Sequence, residues 1–183
     1  ARGANWTGGI GGVTRTDADA QVRDWCKAQG LARGCTVTVD DMGAMCARRP
    51  GQRNDIPPIA MGSHLDTQPT GGKFDGTLGV FSALEALRAL HRAGYETFAP
   101  IEVVNWTSEE GSRFAPPMIA SGVFSGVYQR DWACARKDRG GETFGDALDK
   151  IGYRGPEPCG GHELSAFFEV QSEQGPFLEN AGK

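Results

Sequence analysis

The sequence lacks the features that mark membrane, secreted and nucleic-acid-binding proteins. No apolar run is long enough to cross a bilayer, and no signal-peptide pattern occurs. The net charge of -4 provides no basic surface for a nucleic acid or an anionic membrane. The five cysteines are scattered and contain no C-x-x-C pair. We therefore expect free thiols and a cytoplasmic protein.

Motifs of two common enzyme mechanisms are missing as well. There is no G-x-S-x-G turn of a serine hydrolase and no G-x-x-x-x-G-K-[ST] loop of a nucleotide-binding protein. Glycine is abundant, with 27 of the 183 residues, which is about twice its average usage. So much glycine permits tight turns and close backbone approaches, and this suits a site that is assembled from loops.

Strands that alternate with helices predict an α/β fold with a mixed central sheet flanked by helices. Helical periodicity predicts a first helix over 17–29, capped by Thr16 and stopped by Gly30, with one face formed by Val22, Trp25 and Cys26. It also predicts a long helix over 77–92, whose core face carries Val80, Phe81, Leu84 and Leu87, and a short helix over 144–151. The predicted strands are 35–39, 44–48, 59–62, 101–107 and 166–172. Residues 111–130, rich in Gly, Pro and Ser, are predicted to be a connection.

Acidic and imidazole groups cluster at two of the predicted strand ends. His64 and Asp66 follow strand 59–62, Asp75 precedes the long helix, and Glu109 with Glu110 follows strand 101–107. Functional loops lie at the carboxyl ends of strands in open α/β sheets, so these groups can converge. An imidazole suits zinc, and a carboxylate beside a glycine can bridge two metals. Of two adjacent glutamates, one can bind metal while the other accepts a proton from water.

Each of these elements has an ordinary explanation when it is taken alone. A His-x-Asp pair such as His64 and Asp66 is most often a surface hydrogen bond. Asp75 before a glycine is most often a turn or a helix cap, and Glu109 with Glu110 would usually be a solvated pair. The combination favours a metal site because each element follows an apolar strand or opens an apolar helix.

The motifs at these positions resemble the zinc amidohydrolase and carboxypeptidase superfamily. The resemblance starts with GSHLDTQP at 62–69 and GKFDGTLGV at 72–80. GVTR at 12–15, NWTSEEGSRF at 105–114 and EQGP at 173–176 are similar to one branch of it. That branch contains N-carbamoyl-L-amino-acid hydrolases, allantoate amidohydrolases and β-ureidopropionase (β-alanine synthase). The likeness covers nearly the whole chain, and the motifs occur in the family's order.

The resemblance implies a role for each site residue. His64 would ligate one zinc, Asp75 would bridge two and Glu110 would ligate the second. Glu109 would be the general base, and Asp66 would orient His64. The glutamine that contacts substrate corresponds to Gln174. The implied cofactors are two divalent metals, zinc foremost, with manganese and cobalt as alternatives.

The implied reaction is hydrolysis of a carbon–nitrogen bond, other than a peptide bond, in an N-carbamoyl amino acid. Its products are an amino acid, ammonia and carbon dioxide. The Gln68-Pro69 and Asn105-Trp106 pairs favour N-carbamoyl-β-alanine, a substrate of pyrimidine catabolism, over N-carbamoyl-L-amino acids. A dipeptidase or aminoacylase of the same superfamily is the alternative enzyme. A catalytically impaired member that only binds a partner or ligand is the alternative outside enzymology.

Two departures from the family bear on activity. Gln171 stands where the family has a histidine ligand, and a neutral amide is a poor zinc ligand; His162 is predicted to be a loop residue rather than its substitute. Residues 1–183 correspond to the N-terminal part of the family's two-metal catalytic domain, and the chain begins at Ala1 rather than at methionine. The smaller dimerisation (lid) domain, through which full-length members form homodimers, is expected outside this sequence. The rest of the catalytic domain, with a last histidine ligand, is expected there too.

Overall fold

A mixed sheet forms the centre of the molecule. The computed structural model describes residues 17–173 and 175–183, and its five strands lie in the order β1-β2-β4-β3-β5. The strands are β1 Thr36–Val39, β2 Met45–Arg49, β3 Ile59–His64, β4 Ile101–Trp106 and β5 Ala166–Phe168. β3 is parallel to both β4 and β5, whereas β2 is antiparallel to β1 and β4. The predicted α/β class with a mixed sheet is confirmed.

Six helices accompany the sheet in the described part of the chain. They are α1 Asp17–Leu31, α2 Thr77–Arg92, α3 Ile119–Phe124, α4 Arg130–Cys134, α5 Phe144–Lys150 and α6 Phe177–Asn180. The long predicted helix matches α2 at both ends. The prediction of a plain connection over 111–130 was wrong, because α3 forms within it. Ile119 and Ala120 are fully buried, so tertiary packing overrides the weak helix propensity of the local glycine and serine.

The first helix extends further than its glycine predicted. Gly30 was expected to end it, but α1 continues to Leu31. A Cβ atom at Gly30 would lie 2.9 Å from the Cβ of Ala47 on β2, so glycine here permits close packing of helix on strand. The predicted cap Thr16 lies outside the described residues, as does the 12–15 motif.

The two long helices expose two aromatic side chains that were predicted to lie on their apolar faces. In α1 the buried residues are Asp19, Arg23, Cys26 and Gly30. Trp25, predicted to lie on the core face of α1, is 39% exposed, and Phe81 of α2 is 44% exposed. Their rings meet edge to face with centroids 5.4 Å apart. Each ring thus covers part of the other at the surface instead of filling the core.

The strand predicted over 166–172 is shorter than expected. β5 ends at Phe168, where its pairing with Met61 of β3 also ends. The next residue, Glu169, accepts a hydrogen bond from the Ser63 hydroxyl at 2.5 Å. This side-chain contact replaces the backbone ladder beyond that point.

The register of the two central strands positions the functional loops. His64, the last residue of β3, pairs with Trp106, the last residue of β4. The loops that follow both strands therefore leave the sheet at the same edge. The five cysteines are free thiols. None of the described helices has both the length and the apolar character needed to cross a membrane.

Candidate metal centre

Three side chains from separate elements converge at this edge of the sheet. His64 ends β3, Asp75 comes just before α2, and Glu110 follows β4. Each offers one ligand atom, and these three atoms lie within 4.8 Å of one another. His64 is fully buried, and Asp75 is 8% exposed. The convergence predicted from the sequence is therefore present in the structure.

A glycine allows the helix start to approach the histidine ring. Gly76 has a φ of 65°, in the left-handed region that glycine adopts readily. A Cβ atom at this position would lie 2.4 Å from Cε1 of His64 and 2.5 Å from both ring nitrogens. The imidazole thus packs directly against the backbone at the start of α2, beside Asp75.

The imidazole is oriented by a backbone carbonyl. Nδ1 of His64 lies 2.8 Å from the carbonyl oxygen of Asp66, whereas the Asp66 carboxylate oxygen is 3.9 Å from Nδ1. Asp66 thus contacts the imidazole through its backbone carbonyl rather than through its carboxylate. With the proton on Nδ1, the lone pair of a neutral ring is on Nε2.

The carboxylate of Asp66 instead holds the glutamate loop. Its two oxygens accept hydrogen bonds from the backbone N–H groups of Glu109, at 3.2 Å, and of Glu110, at 3.3 Å. Asp66 therefore links the segment after β3 to the segment after β4. This arrangement fixes the positions of both glutamates relative to His64.

Gln68 contacts a site carboxylate, and sequence reasoning missed this role. Its side-chain amide donates a hydrogen bond to Oε2 of Glu110 at 3.1 Å. The sequence showed Gln68 only as part of the motif that follows Asp66. A hydrogen bond to a residue so distant along the chain leaves no periodic signal.

Burial and mutual repulsion alter the acidities of the site. Burial raises the pKa of Glu110 to about 7; the Gln68 hydrogen bond opposes this rise and the neighbouring Asp75 carboxyl adds to it. Burial also raises the pKa of Glu109, although His64 opposes the rise. For His64, burial lowers the pKa, but the charges of Asp66 and Glu109 outweigh this and raise it. These are the shifts expected when several acids and an imidazole share one buried space.

The donor set fits a divalent metal ion. Nε2 of His64 and Oε1 of Glu110 are buried and have no hydrogen-bond partner within residues 17–173 and 175–183. Nε2 lies 3.4 Å from Oε2 of Glu109, too far for a strong hydrogen bond. Buried polar atoms are normally satisfied, so these two unpartnered atoms, close to the carboxylate of Asp75, form a donor set that can hold a cation.

A cavity of about 340 Å³ opens beside the two glutamates. Gln171, the residue at the family's histidine position, is part of its wall. Gln174, predicted to contact substrate, lies outside the described residues. His162 lies elsewhere, where its Nε2 is 3.0 Å from Glu102, and so it does not replace the missing histidine. The cavity is lined by Gln68, Glu109, Glu110, Pro117, Met118, Gln171 and Ser172.

Comparison with known proteins identifies close relatives. An N-carbamoyl-L-amino-acid amidohydrolase of Rhizobium meliloti is 51% identical over 99% of this chain and 44% of its own length. A ureidoglycolate hydrolase of Oryza sativa is 35% identical over 93% of this chain and 37% of its own length. A crystal structure of a hydantoinase/carbamoylase-family amidase from Burkholderia multivorans superimposes with a TM-score of 0.95 and 51% identity. That superposition covers 100% of this chain and 44% of the amidase.

The chain thus spans less than half the length of these relatives. Residues 60–182 match peptidase family M20/M25/M40, a family of hydrolases. The matched range includes the ends of both central strands, the start of α2 and all three converging ligands. The chain therefore belongs to peptidase family M20/M25/M40.

Proposed function

We propose that this chain supplies the metal-binding half of an amidohydrolase that cleaves a carbon–nitrogen bond, other than a peptide bond, in an N-carbamoyl-L-amino acid. The observation that carries the proposal is the cluster of His64, Asp75 and Glu110, with Glu109 beside it. The proposed substrate class is taken from the relatives named above. Both N-carbamoyl amino acids and ureidoglycolate contain a ureido group, in which a carbonyl carbon is bonded to two nitrogens.

Three side chains would hold the metal, zinc foremost with manganese or cobalt as alternatives. They are His64 through Nε2, and the carboxylates of Asp75 and Glu110. A divalent metal in such a site polarises a carbonyl group and lowers the pKa of water. On the family resemblance, we propose that Asp75 would also bind a second ion.

Glu109 is proposed to accept and return the proton. Its side chain lines the cavity and is 24% exposed, so a substrate and water can reach it. Burial raises its pKa above the usual value, and a carboxyl whose pKa lies closer to neutrality is better suited to pass a proton on to a leaving nitrogen. Asp66 holds the backbone of Glu109 in place through the hydrogen bond described above, which makes Asp66 a positioning residue.

The relatives favour an N-carbamoyl-L-amino acid over N-carbamoyl-β-alanine. The more similar of the two named above is an N-carbamoyl-L-amino-acid amidohydrolase, and it is matched over nearly the whole of this chain. A member of the family that binds ligand without turnover is the competing proposal. It is favoured by Gln171, because an amide at that position of the cavity wall is a weak ligand.

The test is a metal-reconstitution assay on the native protein. Chelator-treated protein would be reloaded with zinc, manganese or cobalt, and ammonia release would be measured. The substrates would be an N-carbamoyl-L-amino acid, N-carbamoyl-β-alanine, ureidoglycolate, an N-acyl amino acid and a dipeptide. Glu110→Gln would remove a proposed ligand charge, and Glu85→Gln would serve as its matched control, since Glu85 is exposed and pairs with Arg88 on α2.

The proposal predicts metal-dependent ammonia release from the N-carbamoyl-L-amino acid, lost in Glu110→Gln and retained in Glu85→Gln. Faster turnover of the dipeptide or the N-acyl amino acid would assign a peptidase or aminoacylase activity instead. Tight ligand binding without any turnover, in metal-loaded protein, would support the binding protein.

A further inference from the structure

A fully buried arginine lies beneath the loop that carries Glu109 and Glu110. Arg23 on α1 has an exposed fraction of 0%. Its Nε donates to Asp19, one turn earlier on the same helix, at 2.8 Å. Removing two charges from water is unfavourable, and a well-packed apolar pair of similar volume often stabilises a protein at least as well. The burial of this ion pair therefore calls for a reason besides packing.

The rest of the guanidinium joins α1 to two distant segments. Nη1 donates to the carbonyl oxygen of Gly43, in the turn between β1 and β2, at 2.7 Å. Nη2 donates to the hydroxyl of Thr107 at 3.0 Å, and this hydroxyl donates to the same Gly43 carbonyl at 2.6 Å. Arg23, Gly43 and Thr107 thus form a closed triangle of hydrogen bonds.

Thr107 is the base of the glutamate loop. The next residue, Ser108, has a φ of 58°, a left-handed conformation that residues with a Cβ atom adopt only when their surroundings hold them there. Beyond this turn, Oε2 of Glu109 lies 3.4 Å from Nε2 of His64, and a ligand atom of Glu110 lies within 4.8 Å of one of His64. The far side of the loop is held where Met118 and Ile119 donate backbone hydrogen bonds to Glu109 and Ser108, at 2.7 and 3.1 Å.

We propose that Arg23 is a positioning residue for the metal centre, acting through Thr107. The hydrogen bond to Thr107 fixes the point at which the chain leaves β4 and enters the left-handed turn. That point in turn sets the positions of Glu110, the proposed ligand, and Glu109, the proposed base. This inference rests on the proposed function, because that function assigns the roles of Glu109 and Glu110. Its test measures zinc affinity, which does not depend on the identity of the substrate.

The experiment uses the native protein and three substitutions. Thr107→Val removes the hydroxyl and keeps the branched shape, whereas Thr107→Ser keeps the hydroxyl. Tyr153→Phe is the matched control: its hydroxyl donates to Asp24 at 2.5 Å and its ring lies 5.4 Å from the Arg23 guanidinium. This change disturbs the same buried cluster without touching the loop. Zinc affinity would be measured by competition with a chromophoric chelator, and melting temperature by circular dichroism.

Thr107→Val should weaken zinc binding about 10-fold, as loss of a group that orients ligands commonly does. Thr107→Ser should restore it, and Tyr153→Phe should lower the melting temperature without changing zinc affinity. In turnover, Thr107→Val should lower kcat with little change in KM. If Thr107→Val does not fold, Arg23→Lys would be tested instead. The lysine ammonium group cannot reproduce the planar arrangement in which the guanidinium donates to Asp19, Gly43 and Thr107.

Wild-type zinc affinity in a folded Thr107→Val or Arg23→Lys variant would overturn the proposal. An equal loss in Tyr153→Phe would overturn it too, since the effect would then be general destabilisation. Absence of carbamoyl hydrolysis by the unaltered protein would refute the proposed function and leave this comparison intact.

Discussion

Replacing Gly76 with alanine should damage both stability and metal binding, because a single methyl group meets two obstacles. The backbone at Gly76 has a φ of 65° and a ψ of -43°, a sparsely populated combination that costs a residue with a Cβ atom about 1–3 kcal/mol. The methyl group would also lie 2.4 Å from the His64 ring. Overpacking of a buried contact adds about 1–3 kcal/mol, for a total loss of about 2–6 kcal/mol in the free energy of unfolding.

Gly94 provides a matched control at the other end of the same helix. It is also left-handed, with a φ of 59°, but a Cβ atom there would meet nothing within 4 Å. Gly94→Ala should therefore show the backbone effect alone, about 1–2 kcal/mol. A larger loss is expected for Gly76→Ala than for Gly94→Ala, because only Gly76 combines a backbone cost with the contact to His64.

Urea unfolding of the metal-free protein, followed by circular dichroism, would measure both losses. Zinc titration against a competing chelator would show whether the ring has moved, and we expect Gly76→Ala to weaken zinc binding more than about 10-fold. Gly94→Ala should leave zinc affinity unchanged. If Gly76→Ala and Gly94→Ala showed equal stability losses and equal zinc affinities, the close packing of His64 against Gly76 would not explain why glycine occupies this position.

Three further predictions concern the carboxylates and the cavity wall. Glu109→Gln should abolish turnover yet retain zinc, measured by metal analysis of the purified variant; a normal rate would remove Glu109 from the proton-transfer role. Because the pKa of Glu110 is raised to about 7, its proton must leave before a metal binds, so zinc affinity should fall as the pH drops below that value. The same shift makes the metal-free fold lose stability as the pH rises from the ordinary glutamate pKa towards 7. Both trends should become weaker in Glu110→Gln, in which the raised pKa values of Glu109 and His64 remain. Gln171→His should raise zinc affinity, and an unchanged dissociation constant would show that residue 171 does not reach the metal.

Local sequence patterns predicted much of the framework of the fold. α2 was predicted at both ends because a long amphipathic run is followed by Gly94, where the helix stops. β3 and β4 were predicted from short apolar runs, and β4 is buried throughout its length. α3 escaped prediction because its few residues become helical only when Ile119 and Ala120 enter the core.

The candidate site likewise has features that the sequence predicts and features that it does not. The identities of His64, Asp75 and Glu110 as ligands could be proposed from the motifs and their order, since each motif is contiguous in sequence. The local environment of these ligands could not be proposed. The contact of Gln68 with Glu110, and of Asp66 with the glutamate loop, depends on distances between segments far apart along the chain.

The sequence by itself determined which residues are candidates for the chemistry, because residue type, apolar periodicity and motif order are all properties of short stretches. The tertiary structure decided how those residues are held: by a carbonyl rather than a carboxylate on His64, by a glycine packed against its ring, and by buried Arg23 below Thr107. The physical reason is that hydrogen bonds and close packing depend on three-dimensional distance. Two strands in parallel register create that proximity at one edge of the sheet, and no periodicity along the chain encodes it.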